Sequence, residues 1–150
     1  MKYRSTKTYT HSVGLSACFR QWRAEGHCRF LHGYALQFQI MFEGALDEKN
    51  WIVGFGDLKP LRAALEDLLD HKTLVAADDP KLATFEELHE KGIIQLRVVP
   101  AVGCEKFAEL VFTMADDLLA AKGYKPRCRV VSVECREHDG NSAIVGVDDL

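Results

Sequence analysis

The stretch that decides the fold is CRFLHGYALQFQIMFE, residues 28–43. In its second half, from Leu36 to Phe42, apolar and mostly polar side chains alternate. Because successive side chains of a β-strand point to opposite faces, this pattern predicts a half-buried strand. Just before it, Cys28 and His32 place a thiol and an imidazole in a turn that enters the sheet. Such a pair serves as proton-transfer groups or metal ligands in some proteins, and as a packed thiol and a turn histidine in others.

The remaining chain carries helical and β-type patterns in turn. Leucines at helical spacing, with Asp57 and Pro60 at capping positions, predict a helix over residues 57–69. A capping pattern predicts a short helix from Thr84 onward. A second amphipathic pattern predicts a helix over 104–122. Residues 71–100 otherwise form a polar loop, long enough to shape a pocket. Patterns rich in β-branched residues predict strands over 2–17, 36–43, 93–99, 127–136 and 143–147. This order indicates an α+β fold with mainly antiparallel pairing.

Length and composition predict one ordinary globular domain over residues 1–150. The chain is 47% hydrophobic and 27% charged, with a net charge of −3. A weak negative charge disfavours nucleic acid as a partner. No apolar run approaches the roughly 20 residues that cross a bilayer, and the N-terminus lacks a signal-peptide core, so we expect a cytoplasmic protein with no membrane partner. The five cysteines form no CxxC pair, which argues against a disulfide framework.

Two further polar positions are candidates for chemistry. Asp70 precedes His71 at the end of the first predicted helix, where a carboxylate can orient an imidazole, or bond elsewhere. Glu134 lies within an apolar strand. A buried carboxylate needs a partner, so Glu134 contacts either a ligand or a basic neighbour such as Arg129 or Arg136.

Taken together, these blocks resemble the 6-pyruvoyl-tetrahydropterin and 6-carboxy-tetrahydropterin synthase family over almost the whole chain. The matching segments are Cys28-x-x-x-His32-Gly33, Leu69-Asp70-His71-x-Thr73-Leu74, Val53 to Lys59, Glu105, and Val133-Glu134. The resemblance implies the tunnelling fold, with an antiparallel four-stranded sheet and two long helices on one face. It also implies a homo-oligomer, a trimer or a hexamer, with active sites between subunits.

The same resemblance assigns roles to individual residues. Cys28 matches the proton-abstracting base, and Asp70 with His71 matches the pair that tunes the base or donates a proton. Glu134 matches the carboxylate that holds the pterin ring through its N–H groups, a task that suits two acceptor oxygens. Glu105 and Cys104 are placed with it as substrate-binding residues.

A zinc ion held by three histidines belongs to this pattern, and here the chain departs from it. Phe19 and Tyr34 stand where two of the histidines are expected, so only His32 matches. Gly54 also replaces an aspartate of the pattern. The sequence leaves two outcomes open: an incomplete or non-standard zinc site in which His27 or His11 joins His32, or a pocket without metal.

Three functions are consistent with these residues. The leading hypothesis is a lyase of the 6-pyruvoyl or 6-carboxy-tetrahydropterin synthase type, acting on dihydroneopterin triphosphate for deazapurine (queuosine) biosynthesis. A second is a pterin- or purine-binding protein that has lost the zinc-dependent chemistry. A third is a variant enzyme on a related pterin or purine.

Overall fold

The computed structural model of the chain describes residues 1–147. Within them the fold comprises seven strands and three α-helices. In chain order these are β1 (Tyr3–Tyr9), β2 (Leu15–Phe19), β3 (His32–Gly44), α1 (Lys59–Leu69), β4 (Lys72–Ala76), α2 (Leu82–Glu90), β5 (Leu96–Val99), α3 (Cys104–Ala121), β6 (Cys128–His138) and β7 (Asn141–Gly146). No helix in this described part is long and apolar enough to cross a membrane.

The long strand β3 organises the sheet. Its first part pairs with β2 and its second part with β1, while β6 lies along its other edge and β7 along β6, all antiparallel. The strands β1, β3, β6 and β7 correspond to the predicted four-stranded antiparallel sheet. The structure extends that sheet beyond β2 by two parallel pairings, β2 with β4 and β4 with β5.

Strand β4 lies where the sequence predicts a loop. Four of its five residues, 73–76, are buried one after another, so they show no alternation of apolar and polar positions. Such continuous burial is typical of parallel strands, which are covered on both faces. The prediction was therefore wrong here because a run of five residues is too short to reveal a strand without alternation.

The two long helices pack their apolar faces into the same core. In α1 the buried residues are Leu61, Leu65 and Leu69, at helical spacing. In α3 they include Phe107, Val111 and Leu119. The two helices contact each other, and α3 also contacts β6. Both predicted helices are confirmed, although α1 starts later than predicted because residues 55–58 form a 3-10 turn.

A β-bulge corrects the predicted faces of β6. Met41 pairs with Ser132 and Phe42 with Val130, so Val131 is an extra residue without a partner on β3. The bulge reverses the alternation, and Val130 joins Val133 and Cys135 in the core. Strict alternation along the sequence predicts Val131 on one face with Val133 and Cys135, and Val130 on the other face with Ser132 and Glu134. This prediction is wrong because of the extra residue.

Candidate active site

An aromatic triad, Phe19, His32 and Tyr34, lies where β2 pairs with the start of β3. Phe19 and His32 are direct partners in the strand register, and their ring centroids are 5.1 Å apart. The Tyr34 ring lies 5.5 Å from that of His32 and 6.2 Å from that of Phe19. Phe107 of α3 meets Phe19 edge-on at 5.0 Å. Strand register and helix packing thus fix the three rings together.

The polar groups at the triad gather around Tyr34. Tyr34 interacts electrostatically with the carboxylate of Glu137 and, more weakly, with the thiols of Cys28 and Cys104. Partial burial raises the pKa of Tyr34, and the neighbouring Glu137 raises it further. Tyr34 is therefore a neutral phenol at physiological pH.

Cys28 lies in a single 3-10 turn, His27–Arg29, and is exposed. Gln21 connects this turn to the rest of the molecule through two hydrogen bonds. The Gln21 amide donates to the Cys28 carbonyl at 2.8 Å, and Gln21 Nε2 donates to the Val102 carbonyl at 2.8 Å. The second contact joins the loop to the chain just before α3, so the position of Cys28 is coupled to that of Cys104.

Cys104 is buried at the first residue of α3 and contacts Cys135 of β6. The hydrogen bond between the two thiols and burial hold the pKa of Cys135 well above its ordinary value. Cys135 is thus a protonated core thiol. Glu105, the next residue of α3, has an exposed side chain in the first turn.

Glu134 has partners within its own chain. It lies opposite Gln39 of β3, on the face away from the core thiol Cys135. Its Oε2 accepts hydrogen bonds from Arg136 Nη2 at 3.2 Å and from Ser142 Oγ at 3.0 Å. The basic neighbour that the sequence offered as one alternative is therefore Arg136.

Glu137, not Glu134, is the carboxylate that interacts with Tyr34, and the sequence analysis missed it. Arg136 pairs with Ser142 and His138 with Asn141, so Glu137 falls at a second irregularity of the ladder. Bulges re-aim a side chain, and they occur next to active sites. A second carboxylate near the end of the same strand was the only signal in the sequence, and simple alternation does not give its direction.

Asp70 and His71 form the predicted pair. His71 Nδ1 lies 2.8 Å from Asp70 Oδ1, and because a carboxylate only accepts, Nδ1 carries the proton. The His71 amide donates to the Ser16 carbonyl at 2.7 Å, which holds the pair against β2. The imidazole is 82% exposed, so Nε2 faces solvent and is open to a ligand.

His71 lines a cleft of about 700 Å³. Cys18, Gly33, Thr73, His89 and Gln95 also line it. Cys18 Sγ lies 3.1 Å from Thr73 Oγ1 on the neighbouring strand β4. The cleft therefore offers thiol, hydroxyl, imidazole and amide groups to a ligand.

The sheet separates this cleft from the triad. Gly33 and Cys18 line the cleft, whereas their strand neighbours Tyr34 and Phe19 point to the other face, as alternate residues of a strand must. Within residues 1–147, no hydrogen bond or ion pair joins Cys28 to Asp70 or His71. One chain thus presents the predicted catalytic residues as two separate sets.

The residues around His32 do not fit a zinc ion. His32 Nδ1 is bonded to the Phe30 carbonyl at 2.7 Å, which leaves Nε2 for a ligand, but the ring neighbours of His32 are a phenyl and a neutral phenol, and neither is a zinc ligand. His27 is exposed on its turn. His11 Nδ1 is bonded to the Ala35 carbonyl at 2.5 Å, and its buried Nε2 has no hydrogen-bond partner among the described residues. In the described part of the chain, no group of three or more His, Cys, Asp or Glu side chains is arranged to hold a metal.

Comparison with known proteins agrees with this fold. Residues 8–147 match the family described as 6-pyruvoyl tetrahydropterin synthase. A protein of Archaeoglobus fulgidus named "Putative 6-carboxy-5,6,7,8-tetrahydropterin synthase" is 28% identical over 107 residues, which cover 65% of this chain and 93% of that protein.

Solved structures agree as well. An uncharacterized protein from Wolinella succinogenes superposes with a TM-score of 0.82 at 18% identity, covering 99% of both chains. The 6-pyruvoyl tetrahydropterin synthase of Plasmodium falciparum superposes with a TM-score of 0.70 at 13% identity, covering 96% of both chains. The fold is thus the tunnelling fold of pterin synthases. Because the family match spans most of the sequence, the chain belongs to the 6-pyruvoyl tetrahydropterin synthase family.

Proposed function

We propose that this chain is a carbon–oxygen lyase acting on dihydroneopterin triphosphate, of the 6-pyruvoyl or 6-carboxy-tetrahydropterin synthase type. The observation that carries the proposal is that a chain of this family contains both an exposed thiol, Cys28, and an oriented imidazole, His71. These are the two kinds of group that proton abstraction and return require.

In this proposal Cys28 is the base. Its thiolate removes a proton from a side-chain carbon of the substrate, and the triphosphate leaves with the electron pair of its C–O bond. Exposure of Cys28 on a short turn gives a ligand access to the sulfur. No step is assigned to a metal, because the residues around His32 do not fit one.

His71 returns or relays the proton. Asp70 holds Nδ1–H, so the imidazole presents Nε2 to the cleft in one fixed tautomer. Lys72 also lines the cleft and supplies positive charge beside it. A positively charged wall is suited to a substrate that carries phosphate groups.

Glu134 is the proposed anchor for the pterin ring, with Glu105 and Cys104 as the other substrate-binding residues. A carboxylate pairs well with two neighbouring N–H groups. Glu134 accepts hydrogen bonds from Arg136 and Ser142, and Glu137 interacts electrostatically with Tyr34. Comparing Glu134→Gln with Glu137→Gln in pterin binding followed by fluorescence decides which carboxylate holds the ring: the anchor's replacement is expected to weaken binding at least tenfold.

A second copy of the chain completes the site in this proposal. Cys28 and His71 belong to opposite sides of the sheet, so the base of one subunit meets the imidazole of its neighbour in a homo-oligomer, a trimer or a hexamer. The test mixes two inactive variants, Cys28→Ala and His71→Gln, after unfolding and refolding them together. Recovered turnover supports shared sites, and a mixture as inactive as either parent contradicts them.

The direct test of the activity is turnover of dihydroneopterin triphosphate by the purified protein. Cys28→Ala is expected to lower turnover by at least 10²-fold while pterin binding persists, because general-base catalysis contributes roughly 10²–10⁴. Retained binding, together with an unchanged circular dichroism spectrum, serves as the control for folding. Unchanged turnover in Cys28→Ala removes this residue as the base.

A second candidate is a pterin- or purine-binding protein without lyase chemistry. The phenyl and phenol groups at Phe19 and Tyr34, where a metal does not fit, favour it. This candidate predicts binding of dihydroneopterin or purines with no turnover of the triphosphate. A third, a variant enzyme on a related pterin or purine, predicts a different product, which mass spectrometry of the reaction mixture identifies.

A further inference from the structure

We infer that the cleft beside His71 is a polyphosphate pocket, in which Nε2–H of His89 and the ammonium group of Lys72 donate hydrogen bonds to the phosphate oxygens. The inference deepens the proposed function and rests on it for the source of the phosphates, which is the triphosphate of the substrate. It assigns a binding role to His89, a residue of α2 that the sequence analysis did not single out.

The pairing of β4 with β5 brings His89 to the cleft. Nδ1 of His89 accepts a hydrogen bond from the Leu96 amide at 3.1 Å, and Leu96 is the register partner of Thr73. Thr73 follows His71 by two residues, and His71, Thr73 and His89 all line the cleft. Two imidazoles from separate elements thus border one cavity.

Backbone hydrogen bonds fix the segment that carries His89. The Gly92 amide donates to the His89 carbonyl at 3.0 Å, and Gly92 has a φ of 74°, the left-handed conformation with which helices often end. The Thr73 amide donates to the Gln95 carbonyl at 2.9 Å, which joins the loop after α2 to β4. His89 therefore has a defined position relative to the cleft.

The two imidazoles have opposite tautomers. The Leu96 backbone N–H only donates, so Nδ1 of His89 carries no proton and Nε2 of the neutral ring carries it. In His71 the proton is on Nδ1, which donates to Asp70, and Nε2 has the lone pair. His71 therefore offers an acceptor to a ligand and His89 offers a donor. Phosphate oxygens accept hydrogen bonds, so His89 is the imidazole that suits them.

The charge of the cleft favours an anion. Of the described residues that line it, none is an aspartate or a glutamate, whereas Lys72 contributes an ammonium group. Lys72 Nζ donates to the Asp70 carbonyl at 3.0 Å, which holds the ammonium group beside the cleft and leaves its other N–H groups for a ligand. Charged donors of this kind bind phosphate strongly. The cleft, at about 700 Å³, also has the volume typical of small-molecule sites.

This assignment fits the proposed reaction. The triphosphate leaves with the electron pair of its C–O bond, so negative charge on the leaving group grows as the bond breaks. Donors placed around that group stabilise the transition state more than the bound substrate. His89 and Lys72 therefore bind the leaving group, while His71 at the same cleft returns or relays the proton.

Two substitutions separate the roles of the two nitrogens of His89. Asparagine places its carbonyl oxygen near the position of Nδ1, so His89→Asn keeps an acceptor for the Leu96 amide and loses the donor to the cleft. Glutamine reaches the position of Nε2, so His89→Gln keeps a donor and loses that acceptor. With inorganic tripolyphosphate as the probe, calorimetry at pH 8 is expected to show about tenfold weaker binding for His89→Asn and less than about threefold for His89→Gln.

Lys91→Asn is the matched control for general electrostatic attraction. Lys91 follows α2, bonds Glu87 at 2.7 Å and lies outside the residues that line the cleft. Its loss of a full positive charge is expected to change tripolyphosphate affinity less than about twofold. Circular dichroism checks that each variant folds. Equal weakening by His89→Asn and Lys91→Asn overturns the inference, and so does weakening by His89→Gln without weakening by His89→Asn, since His89 then acts only through its bond to Leu96.

A second arm compares dihydroneopterin with its triphosphate. His89→Asn is expected to weaken binding of the triphosphate about tenfold and to leave dihydroneopterin unchanged. If the unchanged protein binds both pterins equally well, or binds no tripolyphosphate, the inference fails and the proposed function stands. If it binds tripolyphosphate in a way that depends on His89 but binds neither pterin, the proposed function fails and the phosphate pocket remains.

Discussion

His71 Nδ1 lies 2.8 Å from Oδ1 of Asp70, the residue directly before it. Neighbouring residues on a helix point in different directions, so this contact requires the chain to leave the helix. Asp70 is extended, and His71 has a φ of 57°, in the left-handed region that few non-glycine residues adopt. The backbone turn at the end of α1 thus creates the pair, and strained positions of this kind often occur at functional sites.

Replacing Asp70 by Asn is expected to lower turnover of dihydroneopterin triphosphate roughly 10²-fold with little change in pterin binding. The amide is a weaker acceptor and carries no charge, so the imidazole loses its fixed tautomer. Steady-state kinetics measures the effect. The control is Asp67→Asn, an aspartate on α1 that is 78% exposed and bonds Arg97. If both variants lose turnover equally, the Asp70–His71 bond has no catalytic role.

Replacing Asp79 by Asn is expected to lower the free energy of unfolding by about 2–3 kcal/mol at pH 7. Arg20 donates two hydrogen bonds to this buried carboxylate, at 2.9 and 2.6 Å. The neutral amide leaves the guanidinium poorly paired. Urea unfolding measures the change. Asp78→Asn is the control, since its pair with Arg23 is exposed and is expected to contribute less than about 1 kcal/mol.

The same pair predicts a pH dependence. Hydrogen bonds from Arg20 hold the pKa of the Asp79 carboxyl below its ordinary value. The stabilisation is therefore complete above the unfolded-state pKa of about 4 and is lost as the pH falls through the folded-state pKa. The difference in stability between the unchanged protein and Asp79→Asn is expected to shrink below about pH 4. A constant difference from pH 7 to pH 2 contradicts this prediction.

Replacing Gly33 by Ala is expected to destabilise the protein by about 1–3 kcal/mol. A Cβ at Gly33 would lie 2.6 Å from the Ala17 carbonyl oxygen and 3.1 Å from Cys18 Cβ, so β2 and β3 must move apart. Thermal or urea unfolding measures the loss. Gly26→Ala is the control, because a Cβ there meets nothing within 4 Å. Equal stability of the two variants would show that β2 and β3 move apart without a loss in the free energy of unfolding.

Replacing Tyr9 by Phe is expected to raise the free energy of unfolding by about 1 kcal/mol. The ring is buried, and within the described residues its hydroxyl has no hydrogen-bond partner. Burial raises the pKa of Tyr9 to about 12. The unionised form therefore stabilises the fold below about pH 10, and this contribution is lost as the pH rises toward 12, so the variant also resists alkali better. Lower stability of Tyr9→Phe at pH 7 would mean that the hydroxyl has a partner in solution.

Periodic patterns made much of this fold predictable. The spacing of leucines along α1 indicates which face of the helix packs on the core, and the alternation along β3 indicates the same for the strand. The same rule fails where burial is continuous, as in β4, and where an extra residue reverses the faces, as at Val131. In both cases the information lies in the partner strand and not in the segment itself.

The candidate site was predicted unevenly for a related reason. Asp70 and His71 were found because they are adjacent in sequence as well as in space. Glu137 was missed because a ladder irregularity, and not a regular alternation, directs it to Tyr34. The Cys28 turn is joined to the chain before α3 by the hydrogen bonds of Gln21, and no local sequence pattern reveals these long-range contacts.

The alternation along β3 also limits how this segment can change during evolution. His32 and Tyr34 lie on one face, in the aromatic triad, and Gly33 between them lies on the other face, in the cleft. Consecutive residues therefore belong to different sites. Substitutions can therefore alter one site and spare the other. Inserting or deleting a single residue would instead exchange the two faces and damage both sites at once. We therefore expect relatives of this chain to vary here in residue type but to keep the length of the segment unchanged.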